Sequence, residues 1–195
     1  MRLLFATQNK HKAFEIEQML DDSFEVLTLS DLQIDDDIPE TGDTLQANAL
    51  IKAKYLHERL GYNCFADDTG LEVQALHGAP GVHSARYAGN DKNDANNIIK
   101  LLQQLSGENN RTARFVTSIC LFWNSNMFLF EGELKGKILE QPIGKNGFGY
   151  DPVFMPDGYD ISLAQMDIEL KNKISHRAIA FKKMAEFLKE QTNLI

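Results

Sequence analysis

The chain has 195 residues, 43% hydrophobic and 25% charged, enough to bury a sizeable core and too ordinary a mixture for disorder or a collagen-like repeat. No apolar run approaches the roughly 18 residues that a membrane helix needs, and the apolar start Met1–Ala6 gives way to Thr7-Gln8-Asn9-Lys10 too early for a secretory signal. A net charge of −8 argues against a grip on the phosphates of duplex nucleic acid. Two cysteines, Cys64 and Cys120, build neither a disulfide scaffold nor a zinc ribbon, so two reduced thiols in a cytoplasmic protein are expected. The charge is uneven. No Lys or Arg falls between Ala13 and Ile51, while that stretch holds Glu15, Glu17, Asp21, Asp22, Glu25, Asp31, Asp35, Asp36, Asp37, Glu40 and Asp43. The remainder is net basic, a distribution that suits a small polyanion held by a few bases with a divalent cation at an acidic rim.

In chain order, Arg2–Thr7 reads as a short buried strand, Lys10–Leu20 as a helix after a tight turn, and Phe24–Leu29 as a second strand. Leu45, Ala49, Ala53, Leu56 and Leu60 repeat on one face of a helix over Thr44–Leu60, capped by Asp43 and stopped by Gly61. Asn63–Ala66 is a strand expected to end in the carboxylates Asp67-Asp68. Ala95–Leu105 is another amphipathic helix. Arg111–Trp123 and Met127–Ile138 read as a long hairpin turning at Asn124-Ser125-Asn126, with Gly132 and Gly136 marking bulges. Ser175 caps a last helix, with Ile174 and Ile179 as a hydrophobic staple. Strands mixed with helices argue for an α/β fold with a mixed sheet over one domain spanning residues 1–195, with no separable linker.

Four polar clusters stand out. Thr7-Gln8-Asn9-Lys10-His11-Lys12 lies between a buried strand and a helix, where hydroxyl, lysines and backbone amides suit an anion; a solvated capping loop is the alternative. Asp67-Asp68-Thr69-Gly70 follows an apolar strand. Neighbours on a strand point to opposite faces, so the two aspartates have separate tasks, and such a pair with Glu40 offers oxygen ligands for Mg²⁺. In Gly147-Phe148-Gly149-Tyr150-Asp151-Pro152, Phe148 can stack on a base and Asp151 can accept a hydrogen bond from one, or Phe148 can simply fill the core. Lys171 with Ser175-His176-Arg177 is the fourth, its helix start favouring electron-rich partners.

Together these residues resemble the non-canonical purine NTP pyrophosphatase family, also called inosine/xanthosine triphosphate pyrophosphatases. The match runs through Thr7-x-Asn9-x-x-Lys12-x-x-Glu15, Pro39-Glu40-Thr41-Gly42, Asp67-Asp68-Thr69-Gly70-Leu71 and Gly78–Tyr87, then Gly147–Pro152 and Ser175-His176-Arg177, nearly the whole chain. Departures are Gln8 where glycine is frequent, Thr69 for serine, and Ala47 in place of a glutamate. The resemblance implies an elongated mixed sheet with flanking helices, two lobes around an active-site cleft and a homodimer. It implies cleavage of ITP, dITP and XTP to monophosphate and pyrophosphate, cleansing the nucleotide pool. It gives Mg²⁺ to Glu40 and Asp68, proton abstraction from water to Asp68, and phosphate binding to Lys12 with the Thr7–Lys12 loop, and it counts Thr69 among the substrate-binding residues. Phe148 would stack on the purine, with Gly149, Tyr150 and Asp151 as further substrate-binding residues, and Lys171, His176 and Arg177 would address its keto oxygen or nearby phosphates. Asp67 falls to a supporting role. A pyrophosphatase for other modified nucleotides and a non-catalytic nucleotide sensor are the rival readings, and neither a nucleic-acid nor a membrane partner is expected.

Overall fold

The structure is a computed structural model that describes residues 2–19, 24–36 and 38–192. Leu20, Asp21, Asp22 and Asp37 of the sequence reading lie outside them. The elements are β1 (Arg2–Phe5), α1 (Lys10–Met19), β2 (Glu25–Thr28), α2 (Leu45–Leu60), β3 (Cys64–Val73) and β4 (Pro80–Gly81). They continue with α3 (Asp94–Gln104), β5 (Thr112–Trp123), β6 (Asn126–Ile138), β7 (Phe154–Pro156), α4 (Ile168–Ile174) and α5 (His176–Thr192). Strand order is β2-β1-β3-β5-β6-β7, with β4 on β3. β1 runs parallel to β2 and β3, whereas β3–β4 and β6–β7 are antiparallel, so the fold is mixed α/β.

Two expected boundaries move for physical reasons. The cap of α2 is Thr44 rather than Asp43, its side chain accepting from the amide of Ala47, and Gly61 closes the helix in the left-handed region at φ 71°. β3 does not end at Asp67-Asp68 but continues through them to Val73, because residues beyond the aspartates are buried as well. The long hairpin turns at Asn124-Ser125, both at positive φ, the two-residue geometry whose twist matches its strands. Gly136 marks a close approach instead of a bulge: it sits in register with Pro156, and a side chain there would run into the Met155 backbone. α4, unrecognised in the sequence, is a seven-residue helix capped by Asp167, which accepts from Leu170 N–H.

The chain forms two compact units, Met1–Asp68 with Thr117–Gly132 and Arg177–Ile195, and Thr69–Val116 with Glu133–His176. In the first, strand alternation sorts two cores. Leu3, Phe5, Phe65, Ile119 and Leu121 pack with Ile16 of α1 and Phe181 and Met184 of α5. The intervening Leu4, Cys64, Ala66 and Cys120 pack with Ala49, Ala53 and Leu56 of α2. Burial pushes the thiols of Cys64 and Cys120 up to about 12, so both are inert as nucleophiles at neutral pH. The second unit has its own core, in which Leu71, Ile98, Leu101, Phe115, Tyr150, Phe154 and Met166 meet.

Candidate active site

Alternation on β3 decides where the carboxylates go. Phe65 faces α1 and α5, so Asp67 does too; Ala66 faces α2, and Asp68 follows it. Two oppositely directed clusters result, both in the first unit.

On the α1 and α5 side, Asp67 pairs with Lys12 Nζ at 2.8 Å and with Arg177 Nε at 3.4 Å. The Arg177 guanidinium also binds Glu15 through Nη1. The carboxylates and the guanidinium are almost fully enclosed, Asp67 and Arg177 being 3% and 2% exposed, while Lys12 is partly open at 14%. Burial opposes the charge on Asp67, but Lys12, Arg177 and Lys52 overcome it and hold the carboxyl well below the usual carboxylate range. Lys12 is lowered by burial, with Asp67 resisting the shift. Asp67 is thus a fixed anion and a poor base.

On the α2 side, Asp68 Oδ2 accepts from Asn48 Nδ2 at 3.1 Å, and its Oδ1 lies 3.6 Å from Lys52 Nζ. The Lys52 ammonium donates to Glu40 Oε1 at 2.6 Å. Asn48 accepts the amide of Gly42 at 2.8 Å, tying the loop that carries Glu40 to the same helix. A side chain at Gly42 would collide with Ala47 and Asn48, so that glycine is required by the close approach. Burial raises the Asp68 pKa; Lys52 and Lys12 pull it down and Glu40 adds to the rise, leaving it above the ordinary value. Lys52 is disfavoured by burial yet raised overall by Asp68, Asp67 and Glu40. Adjacent aspartates are therefore pushed in opposite directions, the pattern that separates a structural anion from a base.

The loop before α1 is organised by its own side chains. Thr7 Oγ1 accepts from Asn9 N–H, and Asn9 Oδ1 accepts from His11 and Lys12 N–H. Those two amides are engaged by Asn9, so the anion-binding character expected of this loop rests on Lys12 and not on them. Gln8 donates to the Asp36 carbonyl, while Lys10 and His11 open α1 as its first two residues.

In the second unit, Asp151 accepts from Lys171 Nζ at 2.6 Å and from Phe148 N–H at 2.9 Å. The Lys171 ammonium sits 5.0 Å from the centroid of the half-buried Phe148 ring. Gly147, at φ 74°, leaves the room that Asp151 fills. Gly149 N–H donates to Asp94, and Tyr150 Oη donates to the Ser84 carbonyl, which fixes the loop on α3 and on the segment after β4. Thr69 opens this unit within β3. His176 stacks on Phe115, 4.6 Å between centroids.

Three findings modify the sequence reading. Arg177, expected to address the purine or phosphates, directs its guanidinium at Glu15 and Asp67. Glu15 is a partner in the buried network and not only a motif residue. Asn48 and Lys52 went unrecognised, although both fall on the buried face of α2 with Leu45, Ala49, Ala53 and Leu56. A lysine on the apolar stripe of a helix was the available signal. Among the described residues no group of three or more His, Cys, Asp or Glu could hold a metal ion.

A family model described as the Ham1 family matches residues 3–187. A dITP/XTP pyrophosphatase of Christiangramia forsetii is 54% identical, covering 96% of this chain and 99% of that protein. One from Flavobacterium psychrophilum is 50% identical over 97% and 100%. Among solved structures, the Staphylococcus aureus Ham1 protein superposes with a TM-score of 0.89 at 38% identity, covering 98% of this chain and all of that one. A HAM1 protein from Coxiella burnetii also reaches 0.89 at 37% identity, over 97% and 99%.

Proposed function

The chain belongs to the Ham1 family, and from that premise we propose that it hydrolyses ITP, dITP and XTP to the monophosphate and pyrophosphate, with Asp68 as the base. The observation that carries this reading is the division of labour at Asp67-Asp68, one carboxylate locked between cations and the next held on the α2 side with its pKa raised.

Glu40 and Asp68 would hold Mg²⁺. The fit is testable on the structure, since oxygens of both carboxylates already converge on one cation, the Lys52 ammonium. Two carboxylates without a third protein acid suit Mg²⁺, which takes its other ligands from water and substrate phosphates. When bound, the ion neutralises charge on the triphosphate and acidifies water. Asp68 takes the proton of the attacking water, and Lys12, held by Asp67, stabilises the phosphates and the leaving pyrophosphate. Phe148 stacks on the purine, with Lys171 and Asp151 presenting a donor and an acceptor to its edge. Thr69 with Gly149 and Tyr150 line the substrate, and Arg177 acts by fixing Asp67. A homodimer in the cytoplasm, acting on free nucleotides, completes the proposal; no helix of the described residues is long and apolar enough to cross a membrane.

Hydrolysis in ¹⁸O-water tests the reaction. Label is expected in the monophosphate, and label in pyrophosphate would place attack at the β-phosphorus and sink the assignment. Phe148→Ala should raise KM for ITP about 10-fold, the scale of one base–aromatic stack, with kcat nearly unchanged. An unchanged KM would take Phe148 out of base binding.

A further inference from the structure

Asp67 and Asp68 are both paired with lysine, yet the two pairings differ in kind. In the Lys12–Asp67–Arg177–Glu15 network the carboxylates and the guanidinium are only 2–4% exposed, and the Lys12 side chain, at 14%, is its one more open member. Around Lys52, itself 11% exposed, the carboxylates are the more open groups, with side-chain exposures of 24% for Glu40 and 12% for Asp68. The stem of Lys52 is fixed on the buried face of α2, so its movable part is the ammonium at the end of a flexible chain. That ammonium balances one of the two negative charges of Glu40 and Asp68. It also stands where the two carboxylates would converge on a metal ion. A divalent cation would neutralise both, and a lysine and a divalent cation confined to one pair of carboxylates repel strongly in a partly buried site.

We infer that Lys52 is a tethered cation that keeps Glu40 and Asp68 in place before substrate binds, and that the divalent ion enters only as the ammonium leaves for the phosphate oxygens. Arrival of the triphosphate supplies the negative charge that draws Lys52 away, so metal loading and substrate binding are coupled through one side chain. An isolated nucleotide-free protein should therefore bind divalent ions weakly. This inference rests on the proposed metal role of Glu40 and Asp68, and the experiment separates the two.

Mn²⁺ binding to the nucleotide-free protein is measured by electron paramagnetic resonance for the wild type, Lys52→Gln, Lys52→Met, Glu40→Gln and Asp68→Asn. Circular dichroism verifies folding of each. Both Lys52 variants should bind Mn²⁺ about 10-fold or more tightly than the wild type, because a repelling charge has been removed. Glu40→Gln and Asp68→Asn should weaken it. If the Lys52 variants bind no tighter while the acid variants weaken binding, the tethered-cation inference is overturned and the metal reading stands. If neither acid variant alters binding, the metal reading falls and takes the inference with it. Should the Lys52 variants fail to fold, the ¹⁵Nζ resonance of Lys52 in the wild-type protein decides. It should shift or vanish by exchange as Mg²⁺ together with a non-hydrolysable ITP analogue saturates, and a resonance unchanged at saturation overturns the inference.

Discussion

Asp68→Asn is expected to lower turnover of ITP by roughly 10²-fold or more while leaving the protein folded and no less stable than the wild type. The two halves of that expectation have one cause. Asp68 is buried, its pKa is raised, and Glu40 lies across the Lys52 ammonium from it. A carboxyl raised above its unfolded value contributes most to stability when protonated, and that contribution is lost as pH rises through the folded value. At neutral pH its ionised form is therefore a burden on the fold, and the neutral amide relieves it. The asparagine keeps the shape and an acceptor for Asn48 but removes the base. Thermal melting at pH 7 with and without Mg²⁺, beside pyrophosphate release from ITP, reads both halves. Turnover within about threefold of the wild type at saturating Mg²⁺ removes Asp68 from its role as base, and a clearly lower midpoint denies that its charge burdens the fold.

The parts of the site that could be read from sequence are those whose chemistry is local. β3 announces itself by its apolar run, and alternation alone assigns Asp67 and Asp68 to opposite faces, as the contacts of Lys12 and Lys52 show. The hairpin was legible because Asn124-Ser125 supplies the positive φ its turn needs. What stayed hidden depends on pairing over long separations. Hydrophobic periodicity gives a lysine on an apolar helix face no partner, so Lys52 remains an anomaly until Glu40 and Asp68 are brought to it. Arg177 begins a helix, which suggests a ligand-facing group; only packing of α5 against α1 turns it toward Glu15. The short α4 escaped for the opposite reason, since seven residues carry too few periodic positions to register.

The neighbouring substitution should behave in the opposite way. Asp67→Asn is expected to destabilise the protein by about 3–5 kcal/mol, the range for breaking a buried ion pair from one side. Asp67 is the anion shared by Lys12 and Arg177, and without it the buried Arg177 keeps only Glu15 while the partly buried Lys12 loses its carboxylate. A loss of that size is a large share of the 5–15 kcal/mol that a domain commonly has, so the variant should unfold at markedly lower urea. The double variant Lys12→Met with Asp67→Asn should recover part of the loss, because one stranded charge leaves with its partner. Acid provides an independent reading. A carboxyl depressed below its unfolded value adds stability that is present above that value, near 3.8, and lost as pH falls through the still lower folded value. The wild type should thus lose stability on acidification in a range where Asp67→Asn, already without the charge, loses less, and the gap between them should narrow. A destabilisation below about 1 kcal/mol at pH 7, comparable with an exposed pair, would show that Asp67 does not hold Lys12 and Arg177 together.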